Sequence, residues 1–286
     1  MNKTYGKLYI VSTPIGNLSD MTFRAVETLK NVDLIAAEDT RHTRELLTHF
    51  DIKKELISFN EHTDPQKAEN LIDKIKNGIS IAYVSDAGTP IISDPGIVLT
   101  RFAIENDIEL TAIPGACAAI NALVLSGLSA KTFTFIGFLS EDNKKRKEQL
   151  SNLVDKMETM IFYISSHNLR KDLKSLIEVF GSDRRATISR EMTKKFEETV
   201  RGDLTYISKY FNEKEVKGEF VLVLSGIDKD ELREKEISKW SEMTYEEHYA
   251  YYLNLGFSDK DALKKVATDR GLKNNDVYKL LKVKED

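Results

Sequence analysis

Ser80-Ile-Ala-Tyr-Val-Ser-Asp-Ala-Gly-Thr-Pro-Ile-Ile-Ser-Asp-Pro-Gly96 is the stretch that indicates the type of fold. Its apolar first part predicts a buried strand. The small and polar residues that follow predict a loop, and a helix is expected to restart at Pro95. In α/β proteins, ligands bind where strands end and helices begin. This loop offers close backbone approach at Gly88 and carboxylates at Asp86 and Asp94, so we expect it to border a binding site.

The same alternation of strand and helix runs through the first 127 residues. Apolar runs predict five strands: Lys7–Ser12, Asp33–Ala37, Glu55–Phe59, Ser80–Ser85 and Glu109–Ile113. Helical spacing predicts five helices between and after them: Thr22–Asn31, Arg41–Phe50, Pro65–Asn77, Gly96–Asn106 and Ala116–Leu125. The pattern predicts an α/β domain with a mostly parallel sheet.

A second α/β unit is expected after a hinge near residues 128–131. Its predicted strands are Thr132–Phe138, Met160–Ser165, Arg185–Arg190 and Glu219–Ser225, and its predicted helices are Asp142–Met157 and Leu169–Phe180. The charged segment Asp228–Lys239 is interpreted as a linker. We therefore expect a parallel-sheet domain at 1–128, a second α/β domain at 129–227 and a helical bundle at 240–286.

Capping signals divide the C-terminal region into short helices. Thr244 with Glu247 and Ser258 with Asp261 have the spacing of capping boxes, and Asn275 is expected to cap a last helix. The helices carry several lysines and arginines. Two interpretations stay open: docking to nucleic acid or the ribosome, and a helical cap on the second α/β domain.

Composition narrows the class of protein. The 286 residues have a formal net charge of −4 and one cysteine, Cys117. A single cysteine excludes an internal disulfide and favours a reducing cytoplasm. The apolar stretch Leu8–Val11 is too short for a signal peptide, and no run is long enough to cross a membrane. The basic runs Lys144–Lys147 and Arg184–Lys195 are interpreted as solvated surface.

Several common sites are not indicated. No Gly-x-Gly-x-x-Gly dinucleotide fingerprint, phosphate-binding loop or Gly-x-Ser-x-Gly elbow occurs, and the histidines lack metal-ligand spacing. Instead, small or polar residues follow four strands, in the loops Thr13–Asn17, Glu38–Arg41, Ala87–Pro90 and Pro114–Ala118. Because such residues let a ligand approach the backbone, four such loops together favour one binding cleft.

Six motifs in order resemble the tetrapyrrole (corrin/porphyrin) methylase superfamily, and within it the branch that methylates ribose 2′-hydroxyls of 16S ribosomal RNA. They are Thr13–Leu18, Ala37–Arg41, Asn60–His62, Tyr83–Gly96, Pro114–Ala119 and Arg190–Lys195. The resemblance runs from about Lys7 to Gly226. It implies two α/β domains of the tetrapyrrole-methylase type with S-adenosylmethionine in the cleft between them, and a homodimer. The implied substrate is a cytidine in the decoding region of 16S RNA, either in free RNA or within the assembled small subunit.

The resemblance also implies positions for the cofactor. The residues expected to contact it are Pro14, Ala87, Gly88, Thr89, Ile92, Cys117, Ala118, Ile164 and Met192. Arg41 and Arg190 are candidates to hold RNA phosphates, and His62 is a further candidate on the RNA side.

A ribose hydroxyl is a poor nucleophile, so a base or an orienting group should assist it. Asp86 and Glu38 are the leading candidates for this role, with Asp39, Glu61 and His62 behind them. The alternative is that Asp86 only caps its own loop.

One segment departs from the family pattern. The family usually carries Tyr-Glu-Ser-Pro-His-Arg where this chain has Tyr163-Ile-Ser-Ser-His-Asn168. Tyr163 and His167 are the polar residues retained. Two other functions stay open: a C-methylase of a tetrapyrrole precursor, and a non-catalytic ribosome-associated module with the same fold. The Glu38–Arg41 and Asn60–His62 loops favour the ribosomal branch over the C-methylase.

Overall fold

The computed structural model describes residues 5–60, 65–94, 96–240 and 242–282. The chain forms two compact units. The first comprises the residues up to Asn152 together with Thr159–Ser225, and it holds two five-stranded sheets. The second comprises Leu153–Glu158 and the residues from Gly226 onward, and it is helical. The division into domains at residues 128 and 227 stays a prediction.

The first sheet is entirely parallel. Its strands, β1 to β5, are Leu8–Val11, Leu34–Ala37, Glu55–Ser58, Ile81–Val84 and Leu110–Ile113. They lie in the order β3-β2-β4-β1-β5. The predicted parallel sheet is confirmed. Since all strands run the same way, the loops after β2, β4, β1 and β5 lie side by side at one edge.

Five helices accompany these strands. They are α1 to α5: Phe23–Asn31, Thr40–His49, Pro65–Lys76, Ile97–Glu105 and Ala118–Ser126. Each lies within two residues of its predicted bounds. The predicted helix start at Pro95 lies outside the described residues. The helix after that loop begins at Ile97.

The core explains why β4 is apolar throughout. Ile81 and Tyr83 belong to one buried cluster, and Ala82 and Val84 belong to another. Alternate residues of a strand point to opposite faces, so a strand covered on both faces must be apolar at every position.

The second sheet is mixed. Its strands, β6 to β10, are Phe133–Phe138, Thr159–Ser165, Arg185–Arg190, Glu198–Asp203 and Glu219–Leu224, in the order β6-β7-β10-β8-β9. Only β6 and β7 are parallel to each other, and their register shifts at a bulge between Phe135 and Gly137. Sequence analysis missed β9 and the helix α8 (Leu204–Asn212) that follows it.

The basic run Lys144–Lys147 is not wholly a solvated surface. It lies on α6 (Asn143–Ser151), which ends earlier than predicted. Arg146 is 2% exposed. Its Nε donates to Ser175 Oγ at 3.1 Å and lies 3.8 Å from Asp172 on α7 (Leu169–Phe180). The interpretation was wrong for Arg146 because a buried carboxylate faces it.

The helical unit contains α9 to α12: Lys229–Lys239, Tyr245–Asn254, Asp259–Asp269 and Asn274–Lys282. The linker interpretation of Asp228–Lys239 was wrong, since Asp228 caps a helix there. The capping box of Thr244 and Glu247 is confirmed, and Ser258 accepts the amide of Asp261. Asn275 lies inside α12 and does not precede it. Among the described residues, no helix has the length and apolar character of a membrane span.

Candidate functional site

A cavity of about 330 Å³ lies at the carboxyl edge of the first sheet and continues onto the second. Its first wall comes from the loops after β1, β2, β4 and β5: Ile15, Glu38, Asp86, Ala87, Gly88, Thr89, Ile92, Ser93, Asp94, Cys117 and Ala118. Its second wall comes from the other sheet: Phe138, Tyr163, Ile164, Ser165, Glu191, Met192, Lys194, Glu219, Phe220 and Val221.

Backbone bonds tie the loops of the first wall together. Thr13 and Gly88 exchange backbone hydrogen bonds of 2.8 and 3.1 Å, and Gly88 has φ = +83°, which favours glycine. Ser12 Oγ donates to Thr89 Oγ1 at 3.1 Å, and that hydroxyl donates to the carbonyl of Ala116 at 3.1 Å. The loops after β1, β4 and β5 therefore form one rigid surface, as their side-by-side positions predict.

Glu38 and Asp86 link two adjacent loops. Asp86 Oδ1 accepts the backbone N–H of Asp39 at 3.0 Å, and Glu38 Oε2 accepts the backbone N–H of Asp86 at 3.3 Å. The Asp86 side chain thus holds the neighbouring loop, and Glu38 holds the backbone of Asp86 in return. Both side chains line the cavity.

The remainder of the β4–α4 loop is strained. Ile91 and Ser93 have φ values of +78° and +70°, which non-glycine residues rarely adopt. Gly96 packs on the ring of Tyr83: a Cβ placed there would lie 2.3 Å from Tyr83 Cε1. The surrounding packing therefore sets the course of this loop and presents Ile92, Ser93 and Asp94 to the cavity.

Aromatic side chains shape the second wall. Tyr163 on β7 makes edge-to-face contacts with Phe135 and Phe138, with ring centroids 5.0 and 5.6 Å apart. Burial raises the pKa of Tyr163 to about 12, so its hydroxyl stays neutral at ordinary pH. In the segment that departs from the family pattern, Tyr163 and Ser165 line the cavity, whereas the His167 side chain is 69% exposed.

The segment Glu191–Lys194 closes over the first wall. Glu191 and Thr193 have φ values of +49° and +66°, and Met192 between them is 7% exposed. A Cβ on Gly16 would lie 2.4 Å from Lys194 Cγ, so the segment packs tightly on the β1 loop. Lys194 Nζ contacts Glu191 at 3.0 Å and Glu219 at 2.8 Å.

The cavity is acidic. Its described lining contains five carboxyl side chains and one lysine, Lys194, which pairs with Glu191 and Glu219. Because one lysine meets two carboxylates there, that cluster keeps a negative charge, and Glu38, Asp86 and Asp94 add three more carboxyl groups without a lysine or arginine in the described lining. Burial, and then the charge of Glu38, raise the pKa of Asp94 to about 6. Such a site suits a ligand that carries positive charge.

The structure brings most of the predicted cofactor residues together. Ala87, Gly88, Thr89, Ile92, Cys117, Ala118, Ile164 and Met192 line the cavity, as do Asp86 and Glu38. Pro14 is not part of the described lining, where its neighbour Ile15 takes that place. Their function as ligand contacts stays a prediction.

The residues predicted to hold RNA lie elsewhere or are not described. Arg41 is 87% exposed and bonds Asp39 through two nitrogens, at 2.8 and 3.2 Å. Arg190 donates to the carbonyl of Lys217 at 2.8 Å, and its guanidinium carbon lies 5.8 Å from the centre of the Phe220 ring, behind the second wall. His62 and Glu61 lie outside the described residues.

Sequence analysis missed part of the lining. The residues not predicted there are Ile15, Phe138, Ser165, Glu191, Lys194, Glu219, Phe220 and Val221. Several lie at ends of β6, β7 and β10, so strand ends of the second sheet were a usable signal.

Solved structures with the same fold have low sequence identity to this chain. A cobalt precorrin-4 methyltransferase aligns with a TM-score of 0.59 and 17% identity, over 77% of this chain and 94% of that one. A uroporphyrin-III C-methyl transferase from Thermus thermophilus, solved with S-adenyl homocysteine, gives 0.55 and 15%, over 77% and 97%. A diphthine synthase gives 0.57 and 16%, over 79% and 94%. At these identities the comparison shows the fold.

Sequence relatives are much closer. The chain is 46% identical to "Ribosomal RNA small subunit methyltransferase I" of Halalkalibacterium halodurans, over 96% of this chain and 94% of the relative. It is 42% identical to the protein of that name from Bacillus subtilis, over 98% and 95%. Residues 7–207 match the family described as Tetrapyrrole (Corrin/Porphyrin) Methylases. The chain therefore belongs to the tetrapyrrole methylase family.

Proposed function

We propose that this protein transfers a methyl group from S-adenosylmethionine to a ribose 2′-hydroxyl of a cytidine in 16S ribosomal RNA, in the decoding region of the small subunit. The observation that carries the proposal is its similarity to relatives named for methylation of small-subunit RNA, at 42–46% identity over nearly the whole of both chains. The finer assignment to a cytidine ribose rests on the six motifs of the ribosomal branch.

The cavity supports S-adenosylmethionine as the methyl donor. This molecule carries a sulfonium and an ammonium group, and the lining offers the carboxyl groups of Glu38, Asp86 and Asp94. The cavity volume of about 330 Å³ lies in the range typical of small-molecule sites. The backbone at Gly88, Cys117 and Ala118 would approach the ligand without intervening side chains.

The proposed reaction needs positioning above all. When bound, S-adenosylmethionine supplies an electrophilic methyl group. The chain has to align a ribose oxygen with that methyl and exclude water. The rigid surface of the loops after β1, β4 and β5 would hold one reactant, and the aromatic second wall around Tyr163 would exclude water.

Glu38 and Asp86 are proposed as orienting residues, because each accepts a backbone N–H from the adjacent loop. Replacing either by Ala should loosen both loops, and we expect a loss of methylation of about tenfold or more. Single Asp86→Ala and Glu38→Ala variants, with donor affinity measured by calorimetry, test this role. Full activity in both variants would exclude it.

RNA phosphates are proposed to bind outside the acidic cavity. Arg41 supports this, since its side chain is exposed at the start of α2, next to the loop that Asp86 holds. Its pair with Asp39 would be exchanged for a phosphate. An Arg41→Ala variant should bind RNA more weakly, with a salt slope smaller by about one. An unchanged slope would place Arg41 away from RNA.

A homodimer is proposed as the assembled form. Phe23, Val124 and Phe196 are 93, 75 and 69% exposed. They lie on or beside segments that line a second hollow of about 630 Å³, which includes Thr22, Val124 and Glu197. Exposed large apolar groups of this kind mark protein contacts. Light scattering should give twice the chain mass, and Val124→Lys should reduce it. A monomeric wild-type protein would contradict this part.

The reaction is tested by incubating the protein with labelled S-adenosylmethionine and small subunits isolated from cells that lack the chain. We expect label in 2′-O-methylcytidine after digestion of the RNA. Free 16S RNA, compared in parallel, identifies the form of the substrate. Label on a base carbon or nitrogen, or none at all, would contradict the proposal. Transfer to a tetrapyrrole precursor would instead support a C-methylase.

A further inference from the structure

Asp94 occupies an unusual place in the cavity. It is partly buried and lies at the end of the β4–α4 loop, directly after the residues with positive φ. Backbone strain of this kind persists only where the surrounding structure enforces it, and it is concentrated at functional sites. The strained backbone before it therefore makes Asp94 a candidate functional residue.

Contacts from both sheets hold this loop. A Cβ on Gly137, at the β6 bulge, would lie 3.4 Å from Ser93 Oγ, and Gly96 packs on the Tyr83 ring. The charge of Asp94 raises the pKa of Tyr83 on the first sheet and also that of Tyr163 on the second, although burial is the larger cause for both. Asp94 lines the same cavity as Asp86 of the first wall and Tyr163 of the second.

The other carboxyl groups nearby have structural bonds. Glu38 and Asp86 each accept a backbone N–H that ties two loops together. Asp94 differs in that burial and the charge of Glu38 raise its pKa by more than a hydrogen bond with the Ser85 side chain lowers it. The titratable groups that act on it or respond to it are Glu38, Asp86, Tyr83 and Tyr163, and the cavity also contains Cys117, Glu191, Lys194 and Glu219. Burial and the acidic neighbours raise its pKa to about 6, close to the value that suits a general base.

We propose that Asp94 accepts the proton of the nucleophilic hydroxyl during methyl transfer. This inference rests on the proposed function. The ribose oxygen forms a bond to the methyl carbon while the bond from that carbon to sulfur breaks, and the sulfur keeps the electron pair. The hydroxyl proton passes to the Asp94 carboxylate. The products are a methyl ether, a neutral thioether and a protonated Asp94, which then releases its proton to water.

The decisive experiment measures single-turnover methylation of small subunits with saturating S-adenosylmethionine, from about pH 5 to about pH 8. The wild-type rate should rise as Asp94 ionises, with a midpoint near 6, and then level off. Asp94→Asn should lower the plateau rate by about 100-fold or more and remove this midpoint. Asp94→Glu, which keeps a carboxyl group, should restore part of the rate and a midpoint.

Controls separate a chemical function from a structural one. Asp73→Asn makes the same chemical change on an exposed residue of α3 and should leave the rate unchanged. Calorimetry should show that Asp94→Asn binds S-adenosylhomocysteine within about threefold of the wild type, which excludes a folding defect.

Two results would overturn the inference. They are an Asp94→Asn rate within about threefold of the wild type, and a wild-type rate that does not change with pH across this range. Failure of the proposed function has a different signature, because the wild-type protein itself would then transfer no methyl group to small subunits.

Discussion

Tyr83 on β4 supports the loop that borders the cavity, because Gly96 packs on its ring. Its ring is fully buried and meets Phe59 edge to face, yet its hydroxyl has no hydrogen-bond partner among the described residues. Burial, followed by the charges of Glu38 and Asp94, raises its pKa, so the hydroxyl stays protonated. A buried unpaired hydroxyl costs about 1–3 kcal/mol of stability.

Removing that hydroxyl should therefore not destabilise the protein. We expect Tyr83→Phe to leave the free energy of unfolding unchanged or to raise it by about 1 kcal/mol, measured by urea unfolding. Tyr210→Phe is the matched control, because the Tyr210 hydroxyl donates to Glu198 and its loss should cost about 1 kcal/mol. A clear loss of stability in Tyr83→Phe would mean that its hydroxyl has a partner.

Gly88 combines a backbone requirement with a position in the cavity. Its φ of +83° makes any side chain unfavourable by about 1–2 kcal/mol, and a Cβ there would lie 3.2 Å from Ile15 Cγ2. Gly181 has φ = +87° and open space around its Cβ position. We expect both Ala variants to lose similar stability.

Only Gly88→Ala should also weaken binding of S-adenosylhomocysteine, by about tenfold in calorimetry. Equal affinities in the two Ala variants would place the ligand away from Gly88.

Local residue types explain which site residues could be predicted. Gly88, Thr89 and Cys117 follow strands in loops of small residues, so strand-end logic identifies them. Glu191 and Lys194 were not predicted as cavity residues, because Glu191 and Thr193 adopt left-handed conformations that nothing in their residue types requires. The segment takes this position because it packs on Gly16, and the local sequence gives no signal of such packing.

The C-terminal helices depend on a buried histidine. Trp240 stacks on His248 at 3.9 Å, Arg270 Nε donates to His248 Nδ1 at 3.1 Å, and His248 Nε2 lies 3.2 Å from Asp269. An Nδ1 that accepts a bond carries no proton, so this network requires the neutral ring. Burial, and then the charge of Arg270, lower the pKa of His248 below its ordinary value of 6.5.

The stability of the C-terminal helices should therefore fall at acid pH. Since the folded state has the lower pKa, the unfolded state binds the proton more readily, and stability from His248 is present above pH 6.5 and lost as the pH falls below it. Hydrogen exchange of the full chain should show α10 and α11 opening more at about pH 5 than at about pH 7.5, after correction for intrinsic rates. The difference should shrink in His248→Asn. Equal opening at both pH values in the wild type would contradict this.

Elements with strong periodicity were predicted, and elements at the edge of the second sheet were missed. Strand β9 is at the sheet edge, and its sequence Glu-Thr-Val-Arg-Gly-Asp mixes charges with one buried residue, Val200. It forms a strand because it pairs with β8, and its own composition does not favour one. Helix α8 did carry a usable signal, because Asp203 caps it and Leu204, Ile207 and Phe211 share one buried face.

For the protein as a whole, the acidic cavity predicts discrimination between the methyl donor and its product. S-Adenosylmethionine has the sulfonium charge and S-adenosylhomocysteine does not. The charges of the partly exposed cavity should favour the donor by roughly two- to fivefold in dissociation constant. The preference should decline as salt increases. A matched Asp94→Asn protein should show a smaller preference. Tighter binding of the product in calorimetry at low salt would contradict the electrostatic argument.

Ribose methylation of small-subunit RNA is the activity that we propose for this chain. The most direct measurement is a mass map of 2′-O-methyl groups in 16S RNA from cells with and without the protein. We expect that one methyl group, on a cytidine of the decoding region, disappears without the protein and returns when the wild-type chain is restored. Identical maps from the two kinds of cell would contradict it.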